Sequence, residues 1–507
     1  MPTPPLRDSA ASIASPPLSP LAGVEIPQVS VNDTHSQLNF TRVDRIVTAG
    51  SEAALRTAIA AARAEGKPVS IAGGRHAMGG QQFATGAVLI DTRALNRILA
   101  LDSERGIVEA EAGIQWPELI DGLIRMQEGT PATQCWGIIQ KQTGADRLTL
   151  GGALAANVHG RGLTLKPIIG DVESFTLMDG DGNLRNCSRS ENSDLFRLAI
   201  GGYGLFGVIT RVRLKLMRRT KLERIVETAD TDELMPAFER RIAEGHLYGD
   251  CQFSTDMCSD TYLRKGVFSC YRPLPDDAEM PAERKELGEA HWRELYYLSH
   301  ADTRAAYDAY TSYYLSTSGQ RYWSDTNQLS LYIDDYHAEL DRRLCSPHKC
   351  SEMITELYVP RPALPAFLAA VRADFRKHGA KLIYGTIRLI ERDHESFLAW
   401  AREPWACTVM NLHVEHTEDG VRKAANDFRG LIDRALESGG SYFLTYHRWA
   451  SRAQVEAAYP QLPEFLRQKQ EHDPSGVFQS AWYRHYKEMF ADRPRIRVHG
   501  LQQIIAR

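Results

Sequence analysis

The sequence has no CxxC pair, no apolar run approaching the ~18 residues that cross a bilayer, and no block of Lys or Arg. Each absence closes a class. A formal net charge of -4 with no basic tract argues against nucleic acid as a partner. No membrane span is expected. The eight cysteines are scattered. Cys345 and Cys350 flank Ser-Pro-His-Lys without a matching second ligand pair, so reduced thiols are expected rather than a metal site. Residues 1–30, rich in Pro, Ser and Ala, carry neither an apolar centre nor a twin arginine. They read as a flexible leader rather than a signal peptide, and the cytoplasm is the expected location. A GxGxxG turn entering a helix, the mark of a Rossmann site, is also missing. At 507 residues the chain is too long for one core, and two or three domains are expected.

What the chain has is glycine in blocks. Val69 and Ile71 alternate as in a buried strand and lead into Gly73-Gly-Arg-His-Ala-Met-Gly-Gly-Gln-Gln82, with a second strand at Gly86–Asp91. Such a loop lets consecutive N–H groups face an anion. Upstream, Ser51 caps an expected helix over Glu52–Glu65. Downstream, Gly106–Gly113 reads as a strand and Trp116 onward as a helix with Pro117 in its first turn. A second block, Thr149-Leu-Gly-Gly-Ala-Leu-Ala-Ala-Asn-Val-His-Gly160, combines a turn with a small-residue surface. It suits either tight helix packing or a planar or phosphate-bearing ligand, and two blocks in one domain favour the ligand. Val172–Met178, the turn Asp179–Gly182 and the run Gly201–Leu216 complete a strand-rich domain.

Past residue 220 helices lengthen and glycines thin out. Residues 280–345 read as mostly helical, and Tyr307, Tyr310, Tyr313 and Tyr314 recur at a spacing that predicts core packing. Pro362–Lys377 reads as a helix stopped by Gly379. In the strand Lys381–Ile390, Tyr384, Thr386 and Arg388 share a polar face; in Cys407–His416, Asn411, His413 and Glu415 do. Such faces suit solvent or the roof of an active site. A helix ends at Gly439-Gly440, and Ser441–Trp449 reads as a strand delivering Tyr446, His447 and Arg448. The aromatic, basic tail from Asp473 reads as a packed helix.

Taken together, the blocks resemble the FAD-linked oxidoreductases of the vanillyl-alcohol oxidase and p-cresol methylhydroxylase superfamily. The likeness runs over roughly residues 40–216 and 355–490. Gly73–Gln82 is similar to the diphosphate loop as cytokinin dehydrogenases carry it, whereas Thr149–Gly160 and Gly201–Ile209 are similar to decaprenylphosphoryl-ribose, aldonolactone and alditol oxidases. The resemblance implies an α+β fold: a leader (1–30), a two-part FAD-binding domain of p-cresol-methylhydroxylase type (31–218), a substrate domain with a mixed or antiparallel sheet and helices (219–460), and a C-terminal segment (461–507) returning to the FAD domain.

It also implies the site. FAD would contact Gly73, Gly74, Arg75, His76, Ala77, Met78, Gly79, Gln81 and Gln82 in the first block. In the second it would contact Thr149, Gly151, Gly152, Ala155, Ala156, Val158, His159 and Gly160, with Gly207 and Ile209 beyond. His76 falls where many members attach the flavin covalently and raise its potential. No Cys precedes the second block closely enough for a further link, so a single histidyl bond is expected. Arg388 and His413 fall where alditol oxidases place an arginine and a histidine, Arg388 to hold a substrate oxygen or the charge developing on the flavin. Tyr446 stands where sugar oxidases have a lysine. Its phenol offers a hydrogen bond or, with a depressed pKa, a base; His413 and His447 are the other candidate bases. Val158, larger than the residue that admits oxygen in relatives, points to a dehydrogenase slow with oxygen, the acceptor being O2 or a redox partner. The implied reaction is hydride transfer from a hydroxylated small molecule (sugar, alditol or lactone) to flavin N5. The alternatives are amine oxidation of the cytokinin-dehydrogenase type, or a flavin fold without net redox chemistry.

Overall fold

The computed structural model describes residues 29–330, 333 and 336–491; the expected leader lies almost entirely outside them. Strands β1 (Val29–Val31) and β2 (Thr41–Val43) form an antiparallel pair. They lead into a parallel three-stranded sheet in the order β3 (Arg45–Thr48), β5 (Val88–Asp91), β4 (Val69–Ala72). Parallel strands need a crossover, and the helix Glu52–Ala64 supplies one. Its start is fixed by Ser51, whose hydroxyl accepts from the Ala54 N–H, a cap worth about 1 kcal/mol.

The next six strands are β6 (Ile98–Asp102), β7 (Ile107–Glu111), β8 (Trp136–Ile138), β9 (Val172–Met178), β10 (Leu184–Ser188) and β11 (Val208–Arg218). They form an antiparallel sheet ordered β10-β9-β11-β7-β6, with β8 on the far end of β11. The second glycine block enters the helix Leu150–Ala156, capped by Thr149 and closed by Asn157 in the left-handed region.

The third sheet holds β12 (Lys221–Asp230), β13 (Tyr248–Phe253), β14 (Lys265–Pro273), β15 (Arg321–Trp323), β16 (Cys350–Pro360), β17 (Leu382–Ile390), β18 (Trp405–Glu415) and β19 (Ser441–Tyr442). Its order is β15-β12-β14-β13-β17-β18-β16-β19, antiparallel throughout. One face packs on the helices Leu364–His378 and Glu418–Glu437 through Phe367, Leu368, Phe428 and Leu431. Burial of each such side chain stabilises by roughly 1.5–3 kcal/mol. That leaves the other face open. Cross-strand register puts Arg388 beside Cys407, and Cys407 beside Tyr358, on one row of that face. Tyr384, Asn411 and Ile354 make another row.

Mixed helices, a parallel sheet and antiparallel sheets give the α+β class expected from the sequence. Two local expectations fail. Ser441–Trp449 is strand only at β19, because the Leu444 and Thr445 carbonyls are taken by the Gln81 side chain of the glycine loop rather than by a neighbouring strand. Within 280–345, the helices Glu289–Ala301, Thr303–Ser316 and Tyr336–Arg343 form as expected, but β15 interrupts them. The tail hydrogen-bonds back to β4 and the first glycine loop: Val69 N–H donates to the Val477 carbonyl, Gln479 N–H to Val69, and Ala481 N–H to Phe83.

Candidate active site

A cavity of about 970 Å³ lies between the two glycine blocks, the polar face of the third sheet and the helices Glu289–Ala301 and Thr303–Ser316. On one side the blocks interlock. A Cβ on Gly73 would stand 2.1 Å from Thr149 Oγ1, and one on Gly74 would stand 2.2 Å from the Arg147 carbonyl, so only glycine lets the loop approach the second block this closely. Arg75 is held at φ 61° and Gly80 at φ 75°, which turns the loop sharply. The N–H groups of Gly74, Arg75, Ala77 and Met78 donate to no protein acceptor among the described residues. Arg75 Nε, Gln82 Oε1 and Thr143 Oγ1 are buried there without partners. Unsatisfied donors around a close backbone turn are what a dinucleotide diphosphate requires, so the residues present fit FAD.

Of the cofactor contacts expected from the sequence, the cavity is lined by Gly73 to Met78, Gln81, Gln82, Thr149, Gly151, Gly152, Ala155, Ala156, Val158, His159, Gly207 and Ile209. Two are not in the lining. Gly79 N–H is tied to Gln81 Oε1, and Gly160 backs onto the Lys141 carbonyl, 2.7 Å from where its Cβ would be. His76 is at the wall with Nδ1 3.3 Å from Thr34 Oγ1.

The opposite wall carries the charge. Glu356, on β16, accepts from Tyr446 Oη at 2.7 Å through one oxygen, and from Tyr358 Oη at 2.8 Å through the other. That second oxygen is also 2.8 Å from His159 Nε2, while His159 Nδ1 faces the Gly160 carbonyl at 3.0 Å. Both ring nitrogens thus face acceptors, so the pair holds a proton between imidazole and carboxylate. Burial alone would raise the Glu356 pKa. The charge and hydrogen bond of His159, the Tyr446 hydroxyl and Arg388 outweigh it and bring the group down to about 2. Burial, and then the Glu356 charge, push the Tyr446 phenol well above its usual range. A neutral Tyr446 is therefore a hydrogen-bonding group and not a phenolate. Cys407 Sγ completes a His159–Glu356–Cys407 cluster.

Arg388 lines the cavity with 6 % of its surface exposed, and its guanidinium makes no hydrogen bond or ion pair among the described residues. Asp250, on β13, also lines the cavity, and its carboxylate makes no hydrogen bond or ion pair among the described residues. The other two candidate bases do not line the cavity. His413 shares the polar face of β18 but lies beyond the cavity, edge-on to His300 at 5.5 Å; burial, then His300, hold it down to about 4. His447 is packed among Phe428, Trp449 and Tyr442, and burial holds it down to about 3. For His413, strand alternation gave the face without saying how far along the strand the cavity reaches; for His447, the expected strand ends at Tyr442.

The Tyr-rich stretch corrects the sequence expectation. Tyr307, Tyr310, Tyr313 and Tyr314 all line the cavity, Tyr310 and Tyr314 stacked at 4.3 Å. Helical spacing aims a face at an interior, and this interior is a cavity. Sequence reasoning also missed Glu356, Asp250 and Arg161. Charged residues alternating in an otherwise apolar strand, as in Glu352-Met-Ile-Thr-Glu356, are the signal that could have found the first.

An FAD binding domain family model matches residues 43–188. The chain is 33% identical over 209 residues to cytokinin dehydrogenase 7 of Oryza sativa subsp. japonica, covering 37% of each chain. It is 31% identical over 162 residues to L-gulonolactone oxidase of Mus musculus, covering 32% of this chain and 34% of the relative. Against decaprenylphosphoryl-beta-D-ribose oxidase of Mycolicibacterium smegmatis it is 21% identical over 445 residues, 85% of this chain and 92% of the relative. The chain thus spans little more than a third of the first of these relatives and nearly all of the last. No helix among the described residues is long and apolar enough to cross a membrane. The glycine cradle, the FAD binding domain over residues 43–188 and relatives of this kind are consistent with the FAD-linked oxidoreductases of the vanillyl-alcohol oxidase superfamily.

Proposed function

We propose that this protein oxidises a CH–OH group of a small hydroxylated molecule, of the sugar, alditol or lactone kind. What supports this reading most is that the glycine cradle and the polar wall bearing Arg388, Tyr446 and Asp250 open into the same cavity. FAD, when bound, supplies the hydride acceptor at N5. Arg388 holds an oxygen of the substrate and so fixes its orientation. The Tyr446 hydroxyl, donating to Glu356, keeps its lone pairs for the substrate O–H. Glu356 is engaged by His159 and two phenols, which leaves Asp250 as the carboxylate that takes the hydroxyl proton as the carbonyl forms. The relative matched over 85% of this chain is named for decaprenylphosphoryl-ribose oxidation, which supports an alcohol donor; the cytokinin dehydrogenase match, over 37% of the chain, supports the amine alternative.

His76 forms the covalent link to the flavin in this reading, and Val158, buried in the wall, slows oxygen so that a redox partner takes the electrons. Acid precipitation of the purified protein tests the link. Yellow colour should stay in the pellet, and should move to the supernatant in His76→Ala; colour released from the unmodified protein refutes the bond. Fast peroxide formation under air would overturn the assignment as a dehydrogenase.

A further inference from the structure

Among the described residues the cavity's charges do not balance, and the imbalance says something about the substrate. Glu356 is taken up by His159, Tyr358 and Tyr446, and Glu352 by His300 and Tyr336. Lys141 is paired with Asp146. Arg224 is held by neutral groups: Nε donates to Tyr271 Oη, Nη1 to Thr317 Oγ1, and its guanidinium lies over the Tyr271, Tyr314 and Tyr322 rings, so it keeps its charge without a carboxylate among the described residues. Arg161 and Arg388 remain. Arg161 makes one hydrogen bond, Nη2 to the Asn327 carbonyl at 2.7 Å, and its Nε is buried without a partner. Arg388 Nε is likewise buried and unpartnered.

Both guanidiniums line the same cavity and both feel Asp250, yet neither forms an ion pair with it. Burial works against the Arg388 charge, but Tyr384, Asp250, Cys407 and Glu356 more than offset it, and the group stays a cation. Among the described residues, Arg161, Arg224 and Arg388 against the one unpaired carboxylate of Asp250 leave buried positive charge uncompensated. Such a charge costs several kcal/mol unless an anion meets it. An anionic substrate group relieves that excess. Planar guanidiniums with free N–H groups match a carboxylate in geometry as well as in sign.

We propose that the substrate is a hydroxy acid whose carboxylate is held by Arg161 and Arg388, its body lying against the tyrosines of the helix Thr303–Ser316. This rests on the alcohol-oxidising reading above and names its substrate class. In it, the oxygen that Arg388 holds belongs to the carboxylate, and the hydroxyl is left to Tyr446 and Asp250.

The test is a calorimetric titration of the FAD-loaded protein with benzoate and with its neutral isostere benzamide. Benzoate should bind more tightly by about tenfold or more, the worth of a charge-assisted hydrogen bond. That preference should fall to within about twofold in Arg161→Gln and in Arg388→Gln, and survive in part in Arg388→Lys. Equal affinity for the two probes, no benzoate binding, or a preference that persists in both Gln variants overturns the proposal. Should the variants fail to fold, the comparison of the two probes on the unmodified protein still decides. Because heat and not turnover is read, the outcomes separate. Benzoate preference without bleaching of the flavin by any alcohol sinks the oxidation reading and leaves the anion site, whereas bleaching by neutral alcohols without benzoate preference does the reverse.

Discussion

The glycine cradle and the arginine- and tyrosine-bearing wall close one cavity, but the chain writes them in different ways. The cradle comes from two short stretches, Gly73–Gln82 and Thr149–Gly160, whose backbones meet because neither Gly73 nor Gly74 has a Cβ. The wall comes from segments spread over residues 161 to 446, brought together by the register of the third sheet and by the docking of the Leu444 and Thr445 carbonyls on Gln81. A backbone site is carried by residue type at adjacent positions. A side-chain site is carried by tertiary pairing, so the same chemistry is far harder to see in sequence.

The contrast breaks most visibly in the cradle. Gly74→Val would press a branched side chain onto the Arg147 carbonyl, which cannot swing aside as a side chain would. Overpacking of this kind costs about 1–3 kcal/mol. Flavin content should drop by about tenfold or more with the circular dichroism unchanged, as measured by absorbance of the purified variant. A wall substitution should do the opposite. Arg388→Ala should retain flavin and lose about 10²–10³ in turnover, the usual cost of a lost charge-stabilising donor, and unchanged turnover would remove it from the site.

Within the wall the effects should grade. Asp250→Asn should lower turnover by about 10²–10⁴, as loss of a general base does. Tyr446→Phe removes the hydrogen bond to the ionised Glu356 together with a neutral one to the substrate hydroxyl; the neutral one is what bears directly on turnover, about 0.5–1.5 kcal/mol and so roughly 2- to 12-fold. If Tyr446→Phe proves the more damaging, the base assignment is reversed.

The smallest effect separates His447 from the site altogether. Its folded pKa is depressed to about 3 from 6.5, so below pH 6.5 the unfolded chain takes up a proton that the folded chain refuses. Stability is therefore unaffected above that pH and falls on acidification by about 1.4 kcal/mol per pH unit. Between pH 6.5 and 5, above the range in which the buried glutamates are protonated, Tm should fall less steeply in His447→Gln, with turnover at pH 7.5 little changed. A large loss of turnover would return His447 to the reaction.

Legibility followed the same division. The helix at Glu52–Ala64, the strands around the first loop and the Gly379 stop could be read because capping, alternation and positive φ are local. The polar faces of β17 and β18 could be read as faces, which found Arg388 and Asn411 at the cavity but also put His413 forward, a residue the cavity does not reach. Glu356 and Asp250 were missed because their roles depend on strands far apart in the chain. The tyrosines misled because a helix that lines a void and a helix that fills a core present the same spacing.

The most direct test of the whole site is anaerobic mixing of the FAD-loaded protein with a panel of sugars, alditols, lactones, hydroxy acids and N-substituted amines, with the flavin's visible band followed in the unmodified protein and in Arg388→Ala. The two-walled site requires that at least one hydroxylated donor bleach the flavin, and that bleaching slow by about 10² or more in the variant. Bleaching by amines alone, by no donor at all, or at the same rate in Arg388→Ala would contradict it.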